Sequence, residues 1–319
     1  MIIPLIQWLK EHYKISKIYY IQNGFQKHFD TSLKDFNKGF VHTINFLPQD
    51  YAFVNLIKMK NYFHFKLKNQ ILETVGLKEF DLIIDTQTRI NNSLLIKNIP
   101  HKYFVSASAK FLLSNPRTVI FNSKNVCGRI FEYFKKNLNK NILIPTEINN
   151  LEKKYLDEAS KLFKNDKKYI GFSITAGHPT RKKEISLKTI IEVANYFSQK
   201  NLIPTFLIEE KYKEKINTLK EAVKNSYFPE HVAKSYLKNP FLVMAIGKKL
   251  QSAISINNGI MHMLALSGTK TAVFFDENSD KFSPLNTNKS KIYCYTKNKN
   301  KKISDLNSED IINFVKDFI

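Results

Sequence analysis

Two short stretches carry side chains whose types and spacing suit the binding of a diphosphate. The first is Ser173-Ile-Thr-Ala-Gly-His-Pro-Thr-Arg-Lys-Lys183. Gly177 would let the backbone approach a ligand closely, Thr175 and Thr180 offer hydroxyls, and Arg181, Lys182 and Lys183 offer cations. The second is Ala253-Ile-Ser-Ile-Asn-Asn-Gly-Ile-Met-His262. Here an apolar run ends in an Asn-Asn-Gly turn, and a helix starts with its unsatisfied N–H groups directed at the turn. Asn257 or Asn258 could cap that helix, Gly259 is small enough for a ligand to press close, and His262 falls one turn inside. Taken singly, each stretch also fits an ordinary loop, and a lone helical histidine is more often structural. Neither has the glycine spacing of a P-loop. It is the pair that points to a diphosphate.

Such junctions need strands that end where helices begin. Apolar runs of strand length alternate with amphipathic stretches along the whole chain. The pattern predicts helix over 4–13, strand over 17–21, strand over Phe80–Asp85, helix around 92–97, strand over 102–106 and helix over 125–137. The near-continuous apolar character of Phe80–Asp85 suits a parallel sheet covered on both faces. The pattern pauses at Ile142-Leu-Ile-Pro145, which sets a boundary between domains of residues 1–145 and 146–319. After a charged helix over 148–163, the second half is predicted as strand 169–174, helix 186–199 with Ser186 as N-cap, strand 203–208 and helix 211–224. Strand 253–256, helix 259–266 and strand 271–275 follow. A last helix over 304–319, capped by Ser304 or Asp305, closes the chain and could pack back on the first domain. The fold class is α/β, with two Rossmann-like doubly wound domains facing each other across a cleft. The lysine-rich patch 297–302 reads as a solvated loop.

The 319 residues include 50 Lys+Arg against 28 Asp+Glu, a net charge of 50 − 28 = +22. Only Arg89, Arg117, Arg129 and Arg181 are arginines, the other 46 cations being lysine, and there are 32 asparagines. That bias is what an AT-rich genome imposes through its codons. The arginine fork that reads phosphates and bases is scarce, so nucleic acid is not an expected partner and ranks only as a minor alternative. The surplus charge still suits an anionic membrane surface or an anionic substrate. No apolar run reaches the length of a membrane span, and 1–6 lacks the basic flank of a secretory signal. Cys127 and Cys294 form neither a disulfide framework nor a metal spacing, so no metal and no resident cofactor are expected, and a reducing cytoplasmic setting is.

The second half resembles glycosyltransferase family 9, the bacterial heptosyltransferases of lipopolysaccharide core synthesis, which have the GT-B architecture of two Rossmann-like domains. Ser255-Ile-Asn-Asn-Gly-Ile-Met-His-Met-Leu-Ala-Leu-Ser-Gly-Thr-Lys-Thr271 follows the family's late motif without a gap. Thr175-Ala-Gly-His-Pro179 and Lys183-Glu-Ile-Ser186 align with its His-Pro-Gly-Ala-Ser and Lys-x-Trp-Pro, and Phe80-Asp-Leu-Ile-Ile-Asp-Thr-Gln87 with its Asp-Leu-Val-Ile-Asp-Leu-Gln. The helix beginning at Pro4 looks like the one that follows the family's first loop.

The resemblance implies inverting transfer of a heptose-like sugar from a nucleotide-diphosphate donor, ADP-linked in the best-known members, to a lipid-linked saccharide acceptor. It also implies work peripheral to the inner membrane. By position, Lys183 would neutralise donor phosphate, and Gly259 with its helix N-terminus would hold the diphosphate beside His262. Thr175, Gly177, Thr180, Asn257 and Asn258 would complete the donor site. Glu209 or Glu210 would meet the donor ribose. The departures are specific. The family's acidic residue in the late motif is Asn257, its Ser/Thr is Asn258, and its Trp-Pro pair is Ile185-Ser186. The glycine pair after strand 203–208 is absent. The family's opening strand and Gly-Asp loop, which carries the general base, would precede Pro4. Either the start was assigned too late or the protein is a donor-binding relative without catalysis. The base is therefore unassigned, with Asp85 at a strand's carboxyl end the fallback.

Overall fold

The computed structural model describes residues 2–13, 17–23, 28–46, 60–87, 89–120, 125–138, 142–176, 184–277, 279–286, 288–298 and 301–319. The chain divides into two compact units, Ile2–Ile144 and Pro145–Ile319.

In the first unit, helix α1 (Ile3–His12) starts with proline in its first turn, where the missing N–H costs nothing. Parallel strands β1 (Ile18–Asn23) and β2 (Val41–Phe46) are joined through the short α2 (Lys34–Asn37). After α3 (Lys60–Val75), strands β3 (Phe80–Asp85) and β4 (His101–Ser106) form a second parallel pair around α4 (Ile90–Lys97). Among the described residues these are two separate two-stranded sheets. Helix α5 (Val126–Leu138) packs its Ile130, Phe131 and Phe134 with Leu5 and Trp8 of α1 and Val105 of β4. Trp8 meets Phe131 edge-on at 5.6 Å between ring centroids.

The second unit begins with α6 (Lys153–Leu162) and β5 (Lys168–Ser173), followed by α7 (Leu187–Gln199), β6 (Leu202–Phe206), α8 (Lys213–Ala222), α9 (Pro229–Val232) and α10 (Pro240–Gly247). Then come β7 (Ser252–Ile256), α11 (Gly259–Leu266), β8 (Lys270–Phe275), α12 (Ser279–Phe282), β9 (Ser290–Cys294), α13 (Tyr295–Asn298) and α14 (Ser308–Val315). The five strands form one all-parallel sheet in the order β6-β5-β7-β8-β9. Tyr227 adds a further parallel bridge outside β6, donating to the Pro204 carbonyl and accepting from Phe206 N–H, both at 2.8 Å. Counted in chain order, the edge is thus 3-2-1-4-5-6, with the switch of direction between β5 and β7. Gly171 permits this close strand packing: a Cβ there would stand 2.6 Å from Leu250 Cδ1 and 3.2 Å from Ala253 Cβ.

Both faces of the sheet are covered, and one core joins Phe172, Phe206 and Phe274 of the strands to Ile190 and Val193 of α7. Ser186 caps α7 by accepting from Thr189 N–H at 3.1 Å. The end of the chain departs from expectation. Ile303–Asp305 is a 3-10 turn, and α14 starts only at Ser308, because Asn307 and Asp310 form a reciprocal capping box that neither Ser304 nor Asp305 provides. This last helix packs on α7, with Ile311 and Val315 in the core of its own unit. The predicted helix over 148–163 begins at Lys153, since Ile148 instead donates its N–H to the Leu266 carbonyl at 2.7 Å. In the 297–302 patch, Lys301 is paired with Asp310 at 2.8 Å rather than simply solvated.

Candidate functional site at the switch of strand order

Ligands of doubly wound sheets sit beyond the carboxyl ends of the strands, where the order reverses. Here that place lies between the ends of β5 and β7, and Asn258 ties the two together. Its Oδ1 accepts from Met261 N–H at 2.9 Å, capping α11. Its Nδ2 donates to Ser173 Oγ at 2.8 Å and to the Thr175 carbonyl at 3.0 Å. The Asn258 amide is thus fully used in holding the junction, while Asn257, its partly exposed neighbour, has no side-chain hydrogen bond among the described residues.

Gly259 opens α11 and is exposed, and a Cβ built on it would meet nothing within 4 Å. The start of a helix with free space before it is a place where an anion can approach N–H groups and the positive end of the dipole. His262 sits one turn further in; burial pushes its pKa down to about 3, so the imidazole is neutral near pH 7 and can only exchange hydrogen bonds.

Across the junction, Thr175 is buried beside the end of β5. Gly177, Thr180 and Lys183 fall within 177–183, outside the described residues. Both flanks of that stretch are held by Glu184, which sequence reasoning did not single out. One carboxylate oxygen accepts from Ala176 N–H at 3.0 Å, and the other pairs with Lys215 of α8. No local signal marks Glu184, because Lys215 lies 31 positions away.

Glu209 and Glu210 follow the end of β6, one strand over from β5. In nucleotide-binding sheets of this order, an acid there meets ribose hydroxyls. Glu209 pairs with Lys211 at 2.6 Å and Glu210 with Lys238 at 2.6 Å, and the latter bond holds the Glu210 carboxyl below its ordinary range. Such exposed pairs are weak and exchangeable. A third acid, Glu230 at the start of α9, was also missed; burial and the Glu209 charge push its carboxyl up to about 7.

In the first unit, Asp85 and Ser106 end β3 and β4 in register. The Asp85 carboxylate is buried and accepts from Ser106 Oγ at 2.7 Å and from Gln87 N–H at 2.9 Å. Ser106 Oγ in turn accepts from Ser108 N–H at 3.2 Å. The next three residues, Ala109, Lys110 and Phe111, all take positive φ (47°, 54° and 68°), a run that L-residues adopt at a cost of roughly 1–2 kcal/mol each. Buried Phe111 stacks on Tyr133 at 5.2 Å and helps hold that run in place.

No protein-family model matches the chain, and no curated protein matches it. Solved structures do. The glycosyl transferase family 9 from Veillonella parvula DSM 2008 is similar over 99% of this chain and 92% of that one, with TM-score 0.65 at 14% identity. The fold is that of the family 9 glycosyltransferases. E. coli heptosyltransferase WaaC with ADP-2-deoxy-2-fluoro heptose superposes over 99% of this chain and 95% of its own, with TM-score 0.60 at 14% identity. E. coli ADP-heptose lps heptosyltransferase II does so over 99% and 93%, with TM-score 0.57 at 11% identity. The two units therefore have the GT-B architecture of Rossmann-like domains.

Proposed function

We propose that the chain is a glycosyltransferase that takes a heptose-like sugar from a nucleotide-diphosphate donor, ADP-linked, and gives it to a lipid-linked saccharide. The observation that carries this reading is the Asn258 tie, which builds an open helix start at Gly259 at the switch of strand order in this fold. In the reaction the bond from the anomeric carbon to the diphosphate oxygen breaks and a bond to an acceptor oxygen forms. The acceptor proton passes to a base, and the diphosphate leaves with both electrons of its bond. The helix start and Lys183 would stabilise that departing charge. His262, neutral, would donate or accept a hydrogen bond there without adding charge. Thr175, Gly177 and Thr180 would line the diphosphate, Asn257 would face it, and Glu209 or Glu210 would hold the ribose.

The acceptor and the membrane surface are read from chemistry alone. Among the described residues no helix is long and apolar enough to cross a membrane, and the net charge of +22 suits anionic headgroups. The setting proposed along with this donor and acceptor is the cytoplasmic face of the inner membrane, where the positive charge would meet anionic headgroups. Asp85 supports a second reading, a donor-binding relative without transfer, because Ser106 and Gln87 occupy its carboxylate.

The two readings separate in one experiment. Calorimetric titration with ADP should give binding that Lys183→Ala and His262→Ala each weaken, and ADP that fails to bind would sink both. Release of ADP from an ADP-sugar, dependent on a saccharide acceptor, would select the transferase.

A further inference from the structure

One stretch of the first unit stands apart in charge. Between Asp85 and Glu132 there are 46 residues without an Asp or Glu, although the chain holds 28 acids in 319 residues. The same stretch carries seven Lys or Arg, among them Arg89, Arg117 and Arg129, three of the four arginines. Codon bias sets lysine in place of arginine along the whole chain. It does not gather the arginines, or remove the acids, in one place.

This stretch also exposes aliphatic side chains. Ile90 and Leu94, four positions apart, share one flank of α4 at 49% and 42% exposure, and Leu112 is 52% exposed. Two hydrogen bonds hold the segment around Leu112 beside α4: Ser93 Oγ with Ser108 Oγ at 2.5 Å, and Lys97 Nζ donating to the Leu113 carbonyl at 2.8 Å. The loop 110–120 is closed by Ile120 N–H, which donates to the Lys110 carbonyl at 3.4 Å, and Tyr133 Oη anchors it by donating to the Pro116 carbonyl at 2.6 Å. Within it Phe111 and Ser114 are buried, while Lys110, Leu112 and Arg117 are exposed. The positive φ of Ala109, Lys110 and Phe111 gives the chain this turn, and backbone of that cost clusters at functional surfaces. Helix α4 starts, and the turn 108–111 follows, at the carboxyl ends of β3 and β4, the end at which such sheets meet their ligands.

We propose that Ile90, Leu94 and Leu112, flanked by Arg89, Lys110 and Arg117, dock the first unit on an anionic lipid bilayer. This rests on the lipid-linked acceptor of the reading above and names the surface that would meet the membrane holding it. The chemistry selects the occupant. A bilayer surface offers phosphates to the cations and an acyl boundary to the aliphatic side chains at the same place. A soluble anionic saccharide would meet the cations and leave the aliphatic side chains in water. A second copy of the chain would set like charges against each other.

The test is sedimentation of the full chain with vesicles of mixed phosphatidylglycerol and phosphatidylethanolamine and, separately, of phosphatidylcholine alone. Wild type should bind the anionic vesicles at least tenfold more tightly than the neutral ones. A cation at the headgroups is worth about fivefold, so the double variant Lys110→Glu, Arg117→Glu should lose at least tenfold. The double variant Leu94→Ser, Leu112→Ser keeps every charge and should also lose at least tenfold. Lys168→Glu with Lys270→Glu reverses as much charge at the exposed first residues of β5 and β8 and should stay within about twofold of wild type. All the substituted positions are exposed, so melting temperatures should match wild type. The proposal is overturned if wild type binds both vesicles alike, if the serine variant binds as tightly as wild type, or if the Lys168 and Lys270 variant loses as much as the Lys110 and Arg117 variant. A dimer without vesicles, seen in analytical ultracentrifugation and abolished in the serine variant, would also overturn it in favour of a second copy. ADP affinity, measured on the same proteins, should not change. Loss of vesicle binding by wild type with ADP still bound removes this inference alone, and vesicle binding through this surface without ADP binding removes the donor reading alone.

Discussion

Among the described residues, the second unit has one continuous five-stranded parallel sheet, with a large core cluster on Phe172, Phe206 and Phe274 and a smaller one on Met261, Val273 and Phe275; the first has two separate strand pairs and several smaller clusters. The difference is physical. In the second unit β5 pairs on both edges, so Phe172 of β5, Phe206 of β6 and Phe274 of β8 pack into a shared layer beneath α7 and α14. In the first, Ile44 of β2 packs with Ile71 and Ile99, while Val105 of β4 packs with α1 and α5. A continuous sheet creates a point where strand order reverses, and there the Asn258 junction is built. Among the described residues the two pairs of the first unit show no such reversal, and the polar cluster at Asp85 and Ser106 closes on itself.

The comparison should be visible in unfolding. Phe274→Ala, which empties a fully buried site in the shared core, should cost about 3–5 kcal/mol. Urea denaturation followed by hydrogen exchange should place that loss in the second unit alone, leaving protection of Phe104 and Val105 unchanged. A loss spread equally over both units would break the comparison.

The next effect tests the junction. Asn258→Ala removes a helix cap and leaves Met261 N–H and the Thr175 carbonyl without their partner. A loss of about 2 kcal/mol is expected, with ADP affinity reduced at least tenfold. Chemical denaturation and calorimetry read the two together, and affinity that survives intact would detach the junction from the ligand.

Two groups of the second unit give opposite pH dependences. The carboxyl of Glu230 is raised in the folded state, which therefore holds the extra proton between about pH 4.5 and 7, so this group makes stability fall as pH rises through that window. His262 is lowered in the folded state, so the unfolded chain holds the extra proton between about pH 3 and 6.5, and stability rises with pH there. From about pH 4.5 to 6.5 the two slopes oppose each other. Glu230→Gln should expose the rising slope and His262→Asn the falling one, in denaturation curves taken across pH 4–7.5.

Part of this was legible in the residues. Strand 80–85 follows from its unbroken apolar run, and the α7 cap from Ser186 placed before an amphipathic stretch. The two junctions stood out because Asn, Gly and Thr concentrate where strands stop. Other elements gave weaker signals. Strand β2 sets two polar residues, His42 and Thr43, side by side and so shows neither an unbroken apolar run nor strict alternation, and α10 is apolar all round, which gives no helical stripe. The Tyr227 edge is a single bridge, too short for any period. Glu184 owes its role to Lys215, and Glu230 its raised carboxyl to burial first and then to Glu209; tertiary surroundings of that kind leave no local pattern.

The smallest expected change in stability is also the sharpest test. Because a side chain at Gly259 meets only open space, Gly259→Val should leave the fold as stable as wild type or slightly more so, since glycine disfavours helix. If a diphosphate docks against the start of α11, the added side chain occupies its place. Calorimetric titration of ADP should then show affinity at least tenfold below wild type with an unchanged melting temperature. ADP binding to Gly259→Val as tightly as to wild type would contradict a diphosphate site at the switch of strand order.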